Sequence, residues 1–237
     1  THDLFNLKNK TIIVTGSAGG NGLAIAKSFY NLGANLVLTD KNYLSLKKNT
    51  KSFSSKRSLK LKCDINQIKD RKKILDKTRT KFNYIHGLVN NAGISISNNS
   101  NKYKKKDWDN TINTNLSSIF FLTQLVANHM VFNRIKGSII NITSLASHFG
   151  MPDNPAYVAS KGGLKYLTKA MAIDYGQEGI RINNLSPGYI FTNMTKKSYS
   201  NKKLRASRAK KTMLNKWGQP NDIIGAAVYL MSDSSQY

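Results

Sequence analysis

The stretch Thr11-Ile12-Ile13-Val14-Thr15-Gly16-Ser17-Ala18-Gly19-Gly20-Asn21-Gly22 decides the fold. It begins as a β-branched run typical of a strand and passes into a turn rich in glycine. An apolar helical pattern then follows through Leu23, Ala26, Phe29 and Tyr30. Glycines at such a junction let the backbone approach a pyrophosphate, and the helix N-terminus adds unpaired N–H groups and a positive dipole end. The stretch therefore predicts an α/β fold with a nucleotide site at its first turn.

An acidic residue follows the second predicted strand. Asn35–Thr39 is apolar and ends at Asp40, 18 residues beyond Gly22. A carboxylate at this point holds a ribose 2′-hydroxyl and repels a 2′-phosphate, which favours NAD over NADP. Lys41 stands next to it, so NADP is not excluded. A glycine turn alone is equally typical of a plain strand-to-helix connection; the strand, the helix and the acid together favour nucleotide binding.

A second group of residues indicates proton transfer. Tyr157 and Lys161 are four residues apart, so on a helix they lie on one face about one turn from each other. A neighbouring cation favours the phenolate, which would lower a phenol pKa that is ordinarily near ~10. Ser144 ends the apolar run 137–143, and its hydroxyl can donate to a substrate oxygen. The same Tyr-to-Lys spacing recurs at Tyr199 and Lys203, which we expect in a solvated loop.

These motifs, taken in order, resemble the short-chain dehydrogenase/reductase family. The resemblance runs from about residue 7 to the end and rests on Thr15, Gly16, Gly20, Gly22, Asn90-Asn91-Ala92-Gly93, Asn115, Ser144, Tyr157, Lys161 and Pro187-Gly188. It implies one Rossmann-type domain over residues 1–237, a doubly wound parallel sheet in three layers (α/β/α). It also implies hydride transfer between a nicotinamide cofactor and a secondary alcohol or ketone.

The resemblance assigns roles to four residues. Tyr157 would be the general acid/base, and Lys161 would lower its pKa and hold the nicotinamide ribose. Ser144 would orient the substrate oxygen. Asn115 would distort its helix so that its carbonyl holds a water in a proton relay.

The family's cofactor contacts map onto a larger set. They are Gly16, Gly20, Asn21, Gly22, Asp40, Asp64, Ile65, Asn90, Ala92, Gly93, Tyr157, Lys161, Pro187, Gly188, Ile190 and Thr192. Ile190 and Thr192 would hold the nicotinamide carboxamide, and Asp64 would contact the adenine or cap the next helix. Asn21 departs from the family, which usually has Ile there, so contacts near the nicotinamide are expected to change. No metal ligands are assigned.

Substrate identity is less constrained. Ser144, Tyr157, His148 and Tyr189, with Met151 and Met194, are expected to line the pocket, and residues 193–216 to form a mobile, basic lid. A polyol, sugar acid or small hydroxy compound suits an NAD-preferring member. The alternative is reduction of a 3-oxoacyl thioester on a carrier protein. A dinucleotide-binding scaffold or sensor would have a damaged tetrad, whereas all four positions are intact here.

Alternating patterns predict strands at Ser58–Lys62, Ile85–Val89 and Ile180–Leu185 and helices at 42–51, Asn66–Phe82, Asp107–Phe132 and up to about Tyr175. The family's seventh strand has no counterpart before Tyr237, so strand six is expected at an exposed edge unless another chain covers it. Either the sequence is truncated, or its stability and assembly differ from those usual in the family. Helices around 107–132 and 155–175 pair in the family, which implies a homodimer or homotetramer.

The net charge is +25, from 37 Lys and Arg against 12 Asp and Glu. Such charge attracts polyanions, but 30 of those cations are Lys, 27 residues are Asn, and no nucleic-acid motif occurs. We therefore expect solvated lysines and no specific nucleic-acid partner. The single Cys63 suits a reducing cytosol. With no membrane span and no secretory signal at the start, a cytoplasmic location is expected.

Overall fold

A computed structural model describes residues 2–237, so Thr1 at the start of the predicted domain lies outside the described residues. Six parallel strands form one sheet in the order β3-β2-β1-β4-β5-β6. The strands are β1 Thr11–Thr15, β2 Asn35–Asp40, β3 Ser58–Lys62, β4 Gly87–Asn90, β5 Ser138–Ile142 and β6 Arg181–Leu185. Helices cover both faces, so the predicted doubly wound α/β fold is confirmed.

The helices alternate with the strands. They are α1 Gly20–Asn31, α2 Tyr43–Asn49, α3 Ile68–Phe82, α4 Lys105–Ile112, α5 Ser118–Phe132, α6 Pro155–Gly176, α7 Lys196–Ser200, α8 Lys202–Lys210 and α9 Ile224–Met231. No helix within residues 2–237 is long and apolar enough to cross a membrane.

The core has two halves because both faces of the sheet are buried. Ile12 and Val14 point into a cluster with Phe29 of α1, while Ile13 points to the opposite face, where it joins Ile74 and Leu122. Successive strand residues alternate between faces. A strand that is covered on both faces therefore has an unbroken apolar run in its sequence, which is why β1 could be predicted from the sequence.

Two regions differ from the sequence-based expectation. The helix predicted over 107–132 contains a π-helical segment, Asn113–Ser117, between α4 and α5. Residues Tyr199 and Lys203 do not lie in a solvated loop, because Tyr199 belongs to α7 and Lys203 to α8. Asn201 caps α8 by accepting a hydrogen bond from the Leu204 amide at 3.0 Å. That local cap is what ends one helix and begins the next.

Strand order positions the functional cleft. From β1 the chain moves outward to β2 and β3, then crosses to β4 on the other side of β1. Loops that follow β1 and β4 therefore diverge at the carboxyl ends of adjacent strands, and open α/β sheets bind ligands at this switch point.

Candidate active site

A cleft of about 530 Å³ opens at the carboxyl ends of the strands. It brings together most of the residues that the sequence singled out: Gly16, Gly20, Asn21, Asp40, Ile65, Ala92, Gly93, Ser144, Tyr157, Lys161, Pro187, Gly188, Ile190 and Thr192. Met194, from the start of the 193–216 segment, also lines it. The glycine turn and the tyrosine–lysine pair thus face one space.

The glycine turn is packed against the loop after β4. Gly16 has φ +64°, and a Cβ on it would lie 2.8 Å from Cα of Ala92, so no larger residue fits. A Cβ on Gly22 would overlap the carbonyl oxygen of Gly16. The Asn91 amide donates to the carbonyl oxygens of Thr15 and Gly16, at 3.0 and 2.9 Å. The result is a narrow backbone cradle at the N-terminus of α1, a place where backbone N–H groups can bind a phosphate group.

Asp40 is held beside the glycine turn, at the carboxyl end of β2. One carboxylate oxygen accepts from the Ala18 amide and the other from the Asn42 amide, both at 2.9 Å. These bonds fix the carboxylate toward the cleft while each oxygen keeps a free lone pair. Lys41 is turned to Asp64, at 3.0 Å, in a partly exposed ion pair.

Tyr157 and Lys161 lie in the first two turns of α6 and meet Ser144 at the end of β5. Burial raises the pKa of the Tyr157 phenol, and a hydrogen bond with the Ser144 side chain offsets this in part. The sequence predicted that the lysine would lower this pKa; in the protein without cofactor the net shift is upward, because burial of the phenol has the larger effect. The physical reason is desolvation, which disfavours a buried phenolate.

Lys161 is almost fully buried, at 4% exposure. Burial lowers the pKa of its ammonium to about 8. Its Nζ donates to the carbonyl oxygen of Ile142 at 2.6 Å, and no carboxylate within residues 2–237 pairs with it. A cation in this position is destabilised in the folded protein, and an oxygen-rich ligand in the cleft would relieve that cost.

Asn115 lies in the middle of the π-helical segment and is fully buried. Its Oδ1 accepts from the Ile94 amide and its Nδ2 donates to the Ile94 carbonyl, both at 2.8 Å. A second bond joins Nδ2 to Oγ of Ser160 at 3.1 Å. A Cβ on Gly93 would lie 3.2 Å from Oδ1 of Asn115 and 3.7 Å from Nζ of Lys161. Asn115 and Lys161 therefore approach the same glycine from two helices.

Several predicted residues lie outside the cleft wall. Asn90 is buried in the sheet, where its amide donates to Thr123 and Asn141 at 2.9 and 2.8 Å. His148 is exposed, with its Nδ1 3.2 Å from Nζ of Lys165. The Tyr189 ring packs on Trp217 with centroids 5.6 Å apart. Gly22, Asp64 and Asn115 are not among the residues that line the cleft.

Three residues that shape the site had no role predicted from the sequence. Asn91 anchors the glycine turn, Ser160 joins the π-helical segment to α6, and Thr114 lines the cleft. Ser160 also donates to the Tyr157 carbonyl at 2.8 Å. Asn91 and Ser160 stand inside the quoted motifs, so their position was a usable signal. Thr114 carried none, because its placement depends on the helix irregularity.

The two ends of the 193–216 segment are tied together. Phe191 donates to the Gly218 carbonyl and Gly218 donates to the Tyr189 carbonyl, both at 2.9 Å. Trp217 is 8% exposed, and its Nε1 donates to the Arg205 carbonyl of α8 at 3.0 Å. The segment therefore begins and ends at two chain positions that are hydrogen-bonded to each other.

The chain is similar to known proteins along nearly its whole length. The family model described as Enoyl-(Acyl carrier protein) reductase matches residues 16–237. Gluconate 5-dehydrogenase of Gluconobacter oxydans is 36% identical over 238 residues, covering 99% of this chain and 92% of that protein. The 2-dehydro-3-deoxy-D-gluconate 5-dehydrogenase of Bacillus subtilis is 38% identical over 248 residues, covering 100% and 92%. A gluconate 5-dehydrogenase from Burkholderia cenocepacia, crystallised with NADP and tartrate, superposes with a TM-score of 0.93 at 30% identity, covering 99% and 92%.

Proposed function

The chain belongs to the short-chain dehydrogenase/reductase family and is an NAD(P)-dependent oxidoreductase of CH–OH groups, and on that premise we propose that it interconverts a hydroxyl and a ketone on a sugar acid. The observation that carries the proposal is the meeting of Tyr157, Ser144 and Lys161 in the cleft that the glycine turn closes. The relatives named above act on gluconate-type acids, which supports that substrate class.

The residues present fit a dinucleotide. The backbone cradle around Gly16 would take the pyrophosphate, Asp40 the adenosine ribose, and Ile190 with Thr192 the nicotinamide carboxamide. Lys161, whose ammonium has no carboxylate partner among residues 2–237, would hold the nicotinamide ribose. When bound, the cofactor supplies or accepts the hydride.

Proton movement falls to the chain's own side chains. In the oxidation direction Tyr157 Oη takes the proton of the substrate hydroxyl, and in reduction it returns it. Ser144 donates to the same substrate oxygen and holds it in line. Lys161, charged below a pH of about 8, stabilises the phenolate that forms next to it. Asn115, fixed by Ile94 and Ser160, would complete a relay through its backbone carbonyl.

The proposed proton transfer sets the pH dependence. Because burial raises the pKa of Tyr157, the phenol stays protonated at neutral pH, the form that reduction needs. Oxidation needs the phenolate, so its rate rises with pH, and reduction falls over the same range.

The basic segment 193–216 is proposed as the substrate lid. From Lys196 to Lys216 it holds no acidic residue, and neither α7 nor α8 buries a side chain. A positive surface beside the cleft attracts anions, so it favours an acid sugar over a neutral polyol. A 3-oxoacyl group on an acidic carrier protein would exploit the same surface, which makes it the second candidate.

One experiment tests the reaction and separates the candidates. Purified protein is assayed with NAD and NADP on gluconate and 2-dehydro-3-deoxygluconate, on neutral polyols, and in reverse on an acetoacetyl thioester. Turnover of the sugar acids well above the other two supports the proposal. Preference for the thioester would replace it with carrier-linked reduction.

The Tyr157→Phe variant tests the proton donor. It keeps the ring and removes the hydroxyl, so we expect at least a ~100-fold loss of kcat with the dinucleotide Kd unchanged. Near-normal turnover in this variant would contradict the assignment of Tyr157.

A further inference from the structure

A second cavity, of about 840 Å³, lies at the amino ends of the strands and shares no lining residue with the cleft. Its wall includes the segments that enter three neighbouring strands: Lys8 and Asn9 stand before β1, Gly33 before β2 and Arg57 before β3. Neighbouring parallel strands begin at the same edge of a sheet. The cavity is therefore at the edge opposite to the one where hydride transfer is proposed.

The entry segments are fixed against one another by the backbone. The Leu36 amide of β2 donates to the Arg57 carbonyl at 2.8 Å. Gly33 has φ +91°, and a Cβ on it would lie 3.1 Å from Cα of Lys8. The fold therefore holds in place the wall that carries Lys8 and Arg57.

The guanidinium of Arg57 is held from two directions. Its Nη1 donates to the carbonyl oxygens of Tyr30 and Ala34, at 3.0 and 3.3 Å, where α1 ends. Its centre lies 4.0 Å from the centroid of the Tyr30 ring, which stacks on Phe53 at 4.3 Å. Both hydrogen bonds come from one nitrogen, so Nε and Nη2 keep N–H groups that no acceptor within residues 2–237 uses.

The wall of this cavity is positive. Lys8 and Arg57 line it, and no lining residue is an acid; the others are Phe5, Asn6, Asn9, Asn31, Leu32 and Gly33. Neither cation forms an ion pair with any acid in the described part of the chain. Oδ1 of Asn6 accepts from the Lys8 amide at 2.7 Å, and its NH2 group is a further donor. Two cations beside amide donors favour an oxyanion.

We propose that this cavity binds an organic phosphate, with the phosphoryl group bound by Arg57 and Lys8 and the carbon skeleton against Phe5 and Leu32. A guanidinium edge matches two phosphate oxygens, and an ammonium adds a point charge. A phosphate monoester has three such oxygens and close to two negative charges, enough for both cations, whereas a carboxylate has one charge. The cavity volume falls within the roughly 300–1,000 Å³ of small-molecule sites.

An NMR titration of the whole chain with phenyl phosphate tests the proposal, because backbone amide shifts report where a ligand binds. We expect saturable shifts at the amides of Lys8, Asn9 and Gly33. Shifts at Gly20, in the glycine turn, report binding in the cleft separately. Benzoate has a similar ring and a carboxylate, so at the Gly33 amide it should bind at least ~10-fold more weakly.

Two variants remove the cations one at a time. The Kd of phenyl phosphate, fitted to the Gly33 shift, should rise at least ~10-fold in Arg57→Gln, which loses a charge-assisted pair. It should rise about threefold in Lys8→Gln, which loses an exposed charge. Lys27→Gln is the matched control, since Lys27 is an exposed lysine of α1 outside the cavity; its Kd should equal that of the wild type.

Arg57→Gln also loses the hydrogen bonds to Tyr30 and Ala34, so Lys8→Gln keeps the test valid if that protein does not fold. Shifts confined to the glycine turn would overturn the proposal. So would a Kd that the folded cavity variants leave at the wild-type value, or benzoate that binds as tightly as phenyl phosphate. None of these measurements uses NADH or turnover, so the proposed function is tested separately by the assays above.

Discussion

At the scale of single residues, two ionisable groups in the cleft are held by hydrogen bonds to the backbone. Asp40 is held by the amides of Ala18 and Asn42 without a cation on it. Lys161 is buried with one carbonyl partner. Each keeps hydrogen-bonding capacity that the fold does not use, and the two mark the opposite ends of the proposed cofactor site.

Asp40 leads to a prediction about cofactor choice. We propose that the chain prefers NAD, because a carboxylate at this place repels a 2′-phosphate. The Asp40→Asn variant loses the charge and keeps an acceptor, so the KM for NADPH relative to NADH should fall about tenfold. Asp174→Asn, an exposed acid on α6, should leave the ratio unchanged. The Burkholderia enzyme was crystallised with NADP, so the wild type should be measured with both cofactors. A wild type that already prefers NADPH would contradict the proposed preference for NAD.

Lys161 leads to a prediction about stability. Burial lowers the pKa of its ammonium from 10.5 to about 8 in the folded protein. The unfolded chain therefore binds more protons between pH 8 and 10.5, and stability rises with pH in that window. Below about pH 8 the full cost of the buried charge is present.

The variant Lys161→Met removes that charge. It should be inactive yet melt about 5 °C above the wild type at pH 7, with the gap closing as the pH rises toward 10.5. Melting curves at several pH values measure this, and Lys169→Met, an exposed lysine of the same helix, should show no pH-dependent gap. A destabilised Lys161→Met protein at pH 7 would mean that the ammonium is solvated.

At the scale of elements, the π-helical segment Asn113–Ser117 is braced from two sides. Asn66 donates to Thr114 at 2.9 Å and accepts from Ser118 at 2.9 Å, while Ser160 accepts from Asn115 at 3.1 Å. Segments of this kind are often found at functional sites. The bracing explains how a helical distortion is kept in one position.

Ser160→Ala tests the α6 side of this brace. It removes the acceptor for Asn115 and should reduce kcat about tenfold, because a positioned relay is disturbed, without changing the Kd of NADH. Thr168→Val is the control: Thr168 is a buried α6 hydroxyl that accepts from Asn141 at 2.8 Å, so it should cost similar stability and no kcat. Equal kcat losses in both variants would indicate a general packing effect.

The strands and helices show which parts of the structure could be predicted from the sequence. β3 was predicted to the residue at Ser58–Lys62, and β1 was legible because burial on both faces leaves its apolar run unbroken. The fold and many of the residues that line the cleft were therefore accessible from local patterns and a family resemblance, whereas Thr114 was not. The direction of the Tyr157 pKa shift was not, since desolvation depends on what packs above the ring. Likewise, α7 and α8 bury no side chain, so they leave no apolar period to recognise.

At the scale of the whole molecule, two long helices present apolar side chains that the chain itself does not cover. On α5, Phe121 and Phe132 are 46% and 86% exposed; on α6, Tyr166 and Ile173 are 64% and 79% exposed. Spacings of eleven and seven residues place each pair on one face of its helix. Large apolar side chains that stay exposed on a helix face are typical of protein interfaces, so we propose that α5 and α6 pair with a second copy of the chain in a homodimer or a larger homo-oligomer.

The charge of the molecule makes that association testable in a salt-defined buffer. With a net charge of +25, two copies repel each other at low ionic strength, and ~0.15 M salt screens that repulsion to within about 8 Å. Under these conditions light scattering should give a mass of at least twice the 26.5 kDa chain.

Ile173→Asp puts a carboxylate into the proposed interface and should convert the protein to monomers, because burying an unpaired charge costs more free energy than the apolar packing around it supplies. Met213→Asp is the matched control, since Met213 is 96% exposed and follows α8 in the chain, outside both α5 and α6. It adds the same charge and should leave the mass unchanged. A monomeric wild type, or an Ile173→Asp protein that keeps the wild-type mass, would show that these two faces are not where copies of the chain meet.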